Sequence, residues 1–259
     1  MGIASRVQIK RPVSARGPIR EPAVSARLTS RKPLDAASLA PKWELSSYAA
    51  NWKGVAYMLE LNLPPEIKPA NPLDWRELGD ITAEAFSDDP VNRWVFGNEE
   101  AIRSTFRLLA RDVYLRHGLC HLVGDEAASM WCMHDASREL GPVGTLKLGW
   151  ALLTKGSKGA LGRAMKAGSV MDQHHPKEPH LYLFTIGTRK AARGKGYGKM
   201  LMRAMLEGAD RDGLPCYLEN SNPDNTGFYR SHGFERMRLF EVGEGSPPLE
   251  AMWRVPKNP

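Results

Sequence analysis

Arg193-Gly194-Lys195-Gly196-Tyr197-Gly198 stands between two unlike segments. Before it, His180-Leu-Tyr-Leu-Phe-Thr-Ile-Gly-Thr188 is a short apolar run that reads as a buried strand. After it, Lys199-Met-Leu-Met-Arg-Ala-Met-Leu-Glu-Gly208 is made of good helix formers. A strand, a glycine-rich turn and a helix start together make an anion site. The first N–H groups of a helix lack intrahelical partners. The helix dipole places about half a positive charge there. Glycine allows positive φ and removes the Cβ that would keep a phosphate away. Arg189, Lys190, Arg193, Lys195 and Lys199 surround the turn with formal charge. The stretch therefore predicts a seat for a diphosphate.

Spacing narrows the choice of diphosphate. A Walker loop ends in Gly-Lys-Ser/Thr, which this turn lacks. A Rossmann fingerprint, G-x-G-x-x-G, needs its glycines directly after the strand, with two residues between the second and the third and an acid about 20 residues on. Here Gly198 comes one place early, and Thr188 to Ala192 separates strand from glycines, although Glu219 stands near the expected acid position. A glycine-rich connection without a ligand is the plainer alternative, and five basic residues around three glycines weigh against it.

The turn resembles Arg-x-x-Gly-x-Gly, the acyl-CoA pyrophosphate loop of the GNAT superfamily of N-acetyltransferases. Downstream, Pro223-Asp-Asn225-Thr-Gly-Phe228-Tyr229-Arg-Ser-His-Gly233-Phe234 resembles that superfamily's second motif, N-x-x-F-Y-x-x-x-G-F. Two motifs in the right order are more specific than either alone. Within the superfamily the chain is most similar in look to the puromycin N-acetyltransferase-like members. That likeness rests on Asp89-Pro90-Val91 with Arg93-Trp94, on His175-Pro-Lys-Glu-Pro179, on Leu218-Glu219 and on Pro223-x-Asn225, and it covers roughly residues 66 to 255. It implies an α/β fold of the GNAT type: a mixed, mostly antiparallel central sheet flanked by helices, with a helical insertion before the central strand. It implies acetyl-CoA as cosubstrate and an amine as acceptor. A homodimer is compatible with it.

Composition bounds the rest. The chain has 259 residues, enough for a sizeable core in one or two domains. Its net charge of +7 is confined to residues 1–57, which hold ten basic and three acidic residues. The other 26 basic and 26 acidic residues cancel, so the folded part gives no general reason to bind nucleic acid. No apolar run approaches a membrane span and no secretory h-region follows the N-terminus. Cys120, Cys132 and Cys216 lack metal or disulfide spacing, and a reducing, cytoplasmic setting fits. No His, Asp or Glu spacing suggests a metal.

Residues 1–57 are rich in Arg, Ser, Ala and Pro with little periodicity, and read as a disordered basic tail. A transit segment, or a start at Met58 in its place, are the other readings. Residues 58–259 then form the acetyltransferase domain. Leu59 to Ala70 contains its first strand, and Asp74 to Phe86 a helix that Ser87-Asp-Asp-Pro90 breaks. Glu99 to Arg116 is a second amphipathic helix, ended by Gly118. Leu119–Val123 and Ala127–His134 form a hairpin. In the long connection from Asp135 to Pro179, Leu146, Leu148, Leu152, Leu153, Leu161, Met165 and Met171 suggest two short helices, packing elements able to wall a substrate pocket. Pro215–Glu219, Phe234–Val242 and Leu249–Val255 read as strands.

An amine that attacks a thioester must be neutral, so the site needs a base, and the departing thiolate needs a proton. Glu219 is the candidate base: period 2 puts it on the face of Tyr217, beside the gap that the superfamily opens between its two central strands. A solvated strand-end carboxylate is the plainer reading. Tyr229 matches the superfamily's thiolate-protonating tyrosine; packing alone is its alternative. Asn225 matches a CoA-contacting position, or else starts a helix, a task Asn222 could also perform. Ile186, Gly187 and Thr188 would offer main chain to the pantetheine arm, and Arg193, Gly194, Lys195, Gly196, Tyr197, Gly198 and Lys199 would hold the pyrophosphate. His174 and His175 read as loop surface more readily than as acceptor contacts. Cys216 faces away from Glu219 and is no candidate nucleophile. The expected activity is acetyl transfer to a small-molecule amine. A protein amine, or a catalytically silent acyl-CoA-binding sensor, are the alternatives.

Overall fold

The computed structural model describes residues 49–52, 55–59 and 61–257. A two-stranded hairpin, β1 (Ala49–Trp52) and β2 (Val55–Met58), straddles the boundary expected at 57/58. The rest of the expected tail lies outside the described residues.

The main sheet has seven strands: β3 (Ile67–Pro69), β4 (Gly118–Val123), β5 (Ala127–Met133), β6 (Leu181–Thr188), β7 (Cys216–Asn220), β8 (Glu235–Glu241) and β9 (Pro248–Arg254). Their order is β3-β4-β5-β6-β7-β9-β8. Every pairing is antiparallel except β6 with β7, which a helical crossover joins. The helices are α1 (Trp75–Ala85), α2 (Pro90–Phe96), α3 (Glu99–Leu109), α4 (Leu115–His117), α5 (Pro142–Lys155), α6 (Ala160–His174), α7 (Tyr197–Arg211) and α8 (Thr226–Ser231). This is the mixed, mostly antiparallel architecture expected.

Two apolar layers sandwich the sheet. On one face Tyr182, Tyr217 and Met130 pack with Leu78 and Ile81 of α1, Ile102 and Phe106 of α3, and Ala167 and Val170 of α6. On the other, Leu181, Leu183, Cys216 and Leu218 pack with Met202, Met205 and Leu206 of α7 and with Tyr229 and Phe234. Strand alternation thus puts Tyr217 on the helical-insertion face and Cys216 on the α7 face. Burial pushes the Cys216 thiol up to about 12, so it stays an inert thiol.

Three departures from the sequence reading stand out. The Ser87–Pro90 break is followed at once by α2, because Asp89 caps Asn92 N–H at 2.9 Å and Pro90 sits at the first helical turn. The insertion helices are 14 and 15 residues long rather than short. Only some of their apolar residues turn inward: Leu152 is buried, whereas Leu146, Leu153 and Met165 are exposed with Val143 and Trp150. Gly118 does not end its helix in a left-handed turn. Its backbone is extended, and a Cβ there would lie 2.3 Å from the Trp131 carbonyl.

Candidate active site

Pairing between β6 and β7 runs through Leu181↔Cys216, Tyr182↔Tyr217 and Leu183↔Leu218, and then stops. The next residue, Phe184, is an extra residue in the β5–β6 ladder, where Met130 faces Thr185 but Trp131 faces Leu183. Such a bulge bends a strand. Its ring stacks on Tyr114, centroids 4.3 Å apart, and Tyr114 ends a π-helical turn, Ala110–Tyr114. Two backbone irregularities therefore meet where the sheet opens. Beyond them, Thr185 to Thr188 lack a β7 partner, and Glu219 stands one step past the last paired residue.

One cleft of about 720 Å³ lies on the glycine-turn side of this opening. Ile186, Gly187, Thr188, Arg193, Gly194, Gly196, Tyr197, Gly198, Lys199, Asn225 and Tyr229 line it, with Phe86, Asp88 and Asp89 opposite. Gly194 and Gly196 have φ of 82° and 87°, where only glycine is unstrained. Gly196 precedes α7, and no side chain caps that helix end, so its first N–H groups face the cleft unsatisfied. Gly198 is different: its φ is not positive, and a Cβ would meet nothing closer than Phe228 at 3.8 Å. Gly187 lines the cleft but is fixed from behind, since a Cβ would lie 2.5 Å from Ala85 Cβ.

The charge around the turn is smaller than the sequence suggests. Arg189 pairs with Glu84 at 2.6 Å, Lys190 with Asp88 at 2.7 Å, and Lys195 with Glu126 at 2.8 Å. Lys195 does not line the cleft. Among the described residues, Arg193 and Lys199 have no carboxylate within ion-pair distance. Positive charge reaches the cleft from these two side chains and, as a partial charge, from the helix end, against the carboxylates of Asp88, Asp89 and Asp224 in the same lining.

A second cavity of about 290 Å³ lies on the insertion side. It shares Phe86, Asn225 and Tyr229 with the first, so the two meet at Tyr229. The α8 helix that carries Tyr229 is anchored by buried Glu250, which accepts from Asn220 Nδ2 at 3.0 Å and from Thr226 Oγ1 at 2.6 Å. Burial holds the Tyr229 phenol well above its ordinary range, so it is neutral at working pH. Asn222, not Asn225, makes the capping bond here, accepting from Asp224 N–H at 3.0 Å. The Asn225 side chain makes no cap bond and lies at the junction.

Glu219 lines the second cavity, and its side chain is 2% exposed. Among the described residues neither carboxylate oxygen makes a hydrogen bond of good geometry, but the Tyr182 and Tyr217 hydroxyls stand near the carboxylate, and burial together with its negative charge holds both phenols above their ordinary range. The nearest cationic candidate is His175, with Nδ1 3.6 Å from Oε1, within ion-pair reach but too far for a hydrogen bond. This corrects the surface reading of His175, whose side chain is 7% exposed. Its Nε2 lies 3.1 Å from His180 Nε2, and His180 Nδ1 lies 2.7 Å from the Glu178 carbonyl. That carbonyl can only accept, so His180 carries its proton on Nδ1. Burial pushes His180 down to about 3, which keeps it neutral. Arg138 Nη1 stands 2.9 Å from His175 Nδ1 and 2.7 Å from Nε2, and its guanidinium lies over Tyr182. His174 is not at the site; it stacks on Phe240, centroids 4.2 Å apart. The sequence signal for His175 was its place in His175-Pro-Lys-Glu-Pro179, just before β6.

Among the described residues no group of three His, Cys, Asp or Glu side chains could hold a metal ion.

A model of the acetyltransferase (GNAT) family matches residues 100–234. An uncharacterised N-acetyltransferase of Schizosaccharomyces pombe is 27% identical over 201 residues, covering 71% of this chain and 81% of that protein. A solved structure described as histone acetyltransferase HPA2 and related acetyltransferase, from Corynebacterium glutamicum, superposes with a TM-score of 0.54 at 24% identity, over 74% of this chain and 97% of its own. The C-terminal condensation domain of Ebony, solved with beta-alanyl-dopamine, gives 0.50 at 12% identity, over 75% and 99%. With a family match over more than half its length and the family's fold, this chain belongs to the GNAT family of acetyltransferases.

Proposed function

We propose that the protein transfers an acetyl group from acetyl-CoA to the amine of a small molecule. The observation that carries this reading is the meeting of the two cavities at Tyr229, one lined by helix-end N–H groups and the other by a buried carboxylate. The cleft fits the cosubstrate: it has open space above two positive-φ glycines, unsatisfied N–H groups and two unpaired cations. Tyr197, Gly198 and Lys199 N–H, with the Arg193 and Lys199 side chains, would hold the pyrophosphate. The free edge from Thr185 to Thr188 would pair with the pantetheine amides. When bound, acetyl-CoA supplies an acyl group already activated as a thioester.

This chain's residues then have proton work to do. Glu219 takes the proton that the acceptor nitrogen must lose, and Tyr229 gives one to the departing sulfur. The bound ammonium loses two protons in all, one to become a nucleophile and one after it attacks the thioester carbonyl; the sulfur takes one from Tyr229, and with the other released to solvent through Glu219 both side chains return to their starting states. The roof of α5 and α6 over the acceptor cavity favours a small molecule over a protein amine. A silent sensor would need neither a buried carboxylate nor a neutral phenol at the junction.

Tyr229→Phe keeps the ring and removes only the hydroxyl. Acetyl-CoA affinity should hold while kcat falls by roughly 10²–10⁴-fold, the range for a lost general acid. Calorimetry and steady-state thiol release measure the two quantities. Full activity in this variant would remove the acid assignment.

A further inference from the structure

We infer that the acceptor is an apolar monoamine: one cationic nitrogen on a small aromatic or branched-alkyl body. The inference rests on the acceptor reading of the second cavity given above. Glu219 is the single charged residue in that cavity's lining. Its two oxygens are buried and make no hydrogen bond of good geometry among the described residues, although the Tyr182 and Tyr217 hydroxyls lie close enough to act on the carboxylate. A buried carboxylate left in this state is costly unless a donor arrives. A primary ammonium brings three N–H donors to it. His175 at 3.6 Å does not meet this need.

Around that one charge the walls are hydrocarbon. Phe86, Phe106 and Phe184 supply ring faces, and Val95, Leu148 and Met171 close the sides. Phe106 lies between the other two rings, with centroids 5.5 Å from Phe86 and 6.1 Å from Phe184. An aromatic body would add one more ring to this group. Four of the polar side chains that border the cavity, Asn92, Thr105, Asn220 and Ser221, are spent on the protein, whereas the Thr185 hydroxyl has no partner among the described residues. Thr105 Oγ1 donates to the Ala101 carbonyl at 2.9 Å, and Asn220 donates to Glu250 and Thr226. A second ammonium or a ring of hydroxyls would lose water and find few partners, at a cost of about tenfold or more in affinity per group. The volume of 290 Å³ lies at the small end for ligand pockets and limits the body to a small amine.

The test uses the full chain and matched amines: phenethylamine and tryptamine against putrescine and glucosamine, with methylamine as a small reference. Calorimetry in the presence of CoA measures binding, and thiol release from acetyl-CoA measures transfer. Phenethylamine and tryptamine should exceed putrescine and glucosamine by about 100-fold in affinity and in kcat/KM. Ala167→Leu, which narrows the cavity from α6, should weaken tryptamine at least tenfold and leave methylamine within about threefold. Retained methylamine turnover shows that this variant folds. Gly168→Leu repeats the test where a Cβ meets nothing within 4 Å. Equal or better use of putrescine or glucosamine would overturn the inference while leaving acetyl transfer standing. Selective binding of the apolar amines without thiol release would uphold it and sink the transfer reading instead. Equal loss of methylamine and tryptamine in both variants, or no amine binding at all, would also overturn it.

Discussion

At the scale of the residue, the account turns on what Glu219 does with its buried oxygens. If it removes a proton from the amine, Glu219→Gln should lower kcat/KM, and the defect should shrink as pH rises, because more acceptor arrives neutral. For a simple alkylamine the crossover lies near ~10, by analogy with lysine. A pH–rate comparison of the two proteins from pH 7 upward measures this. A defect that stays flat across that span means the carboxylate only positions the ammonium. Tyr229 was legible from the sequence because a short motif carries it. The burial of His175 against Glu219 was not, since it depends on β7 packing beside a loop distant in the chain.

At the scale of the element, the start of α7 does two jobs that the glycines divide. Gly194 and Gly196 make the turn possible at all, through φ values that other residues resist. Gly198 does neither job for the fold: a Cβ there has ordinary room and would favour the helix by about 0.5–1 kcal/mol. Gly198→Ala is therefore a clean probe of the cleft. The melting temperature should hold or rise while acetyl-CoA affinity drops at least tenfold in calorimetry, since the new methyl stands on the phosphate path. Unchanged affinity would show that the pyrophosphate does not lie over this turn.

Much at this scale could be read from sequence, because strands, helix starts and glycine turns are local. Three features could not. The α2 helix hides behind a Ser-Asp-Asp-Pro stretch that reads as a break until Asp89 is seen capping it. The Phe184 bulge is a matter of register with β5, which no single strand's pattern reveals. The neutralisation of Arg189, Lys190 and Lys195 comes from Glu84, Asp88 and Glu126, on other elements. The proposed anion seat therefore rests on backbone groups, Arg193 and Lys199 rather than on five free cations.

At the scale of the whole molecule, buried neutral histidines set the acid limit of stability. Burial pushes His121 down to about 4 and His180 to about 3, against an ordinary value near 6.5. Between those values the unfolded chain binds protons that the folded chain refuses. Their contribution is thus intact above about pH 6.5 and lost as pH falls toward 4. For His121, 1% exposed, the loss is on the order of 3 kcal/mol. Thermal melts from pH 7 to pH 4.5 should show a steep fall, and His121→Leu should flatten it. An equal slope in the variant would place the acid sensitivity elsewhere. Among the described residues no helix is long and apolar enough to cross a membrane.

The central claim is that the opening between β6 and β7 is a place of transfer and not only of binding. The most direct measurement mixes the protein with acetyl-CoA and phenethylamine, follows free thiol, and weighs the product by mass spectrometry. The account predicts one CoA thiol released for each N-acetylated amine formed, with many turnovers per protein. Acetyl-CoA binding with no thiol released above background, for phenethylamine or any other amine offered, would contradict it and leave a binding module in its place.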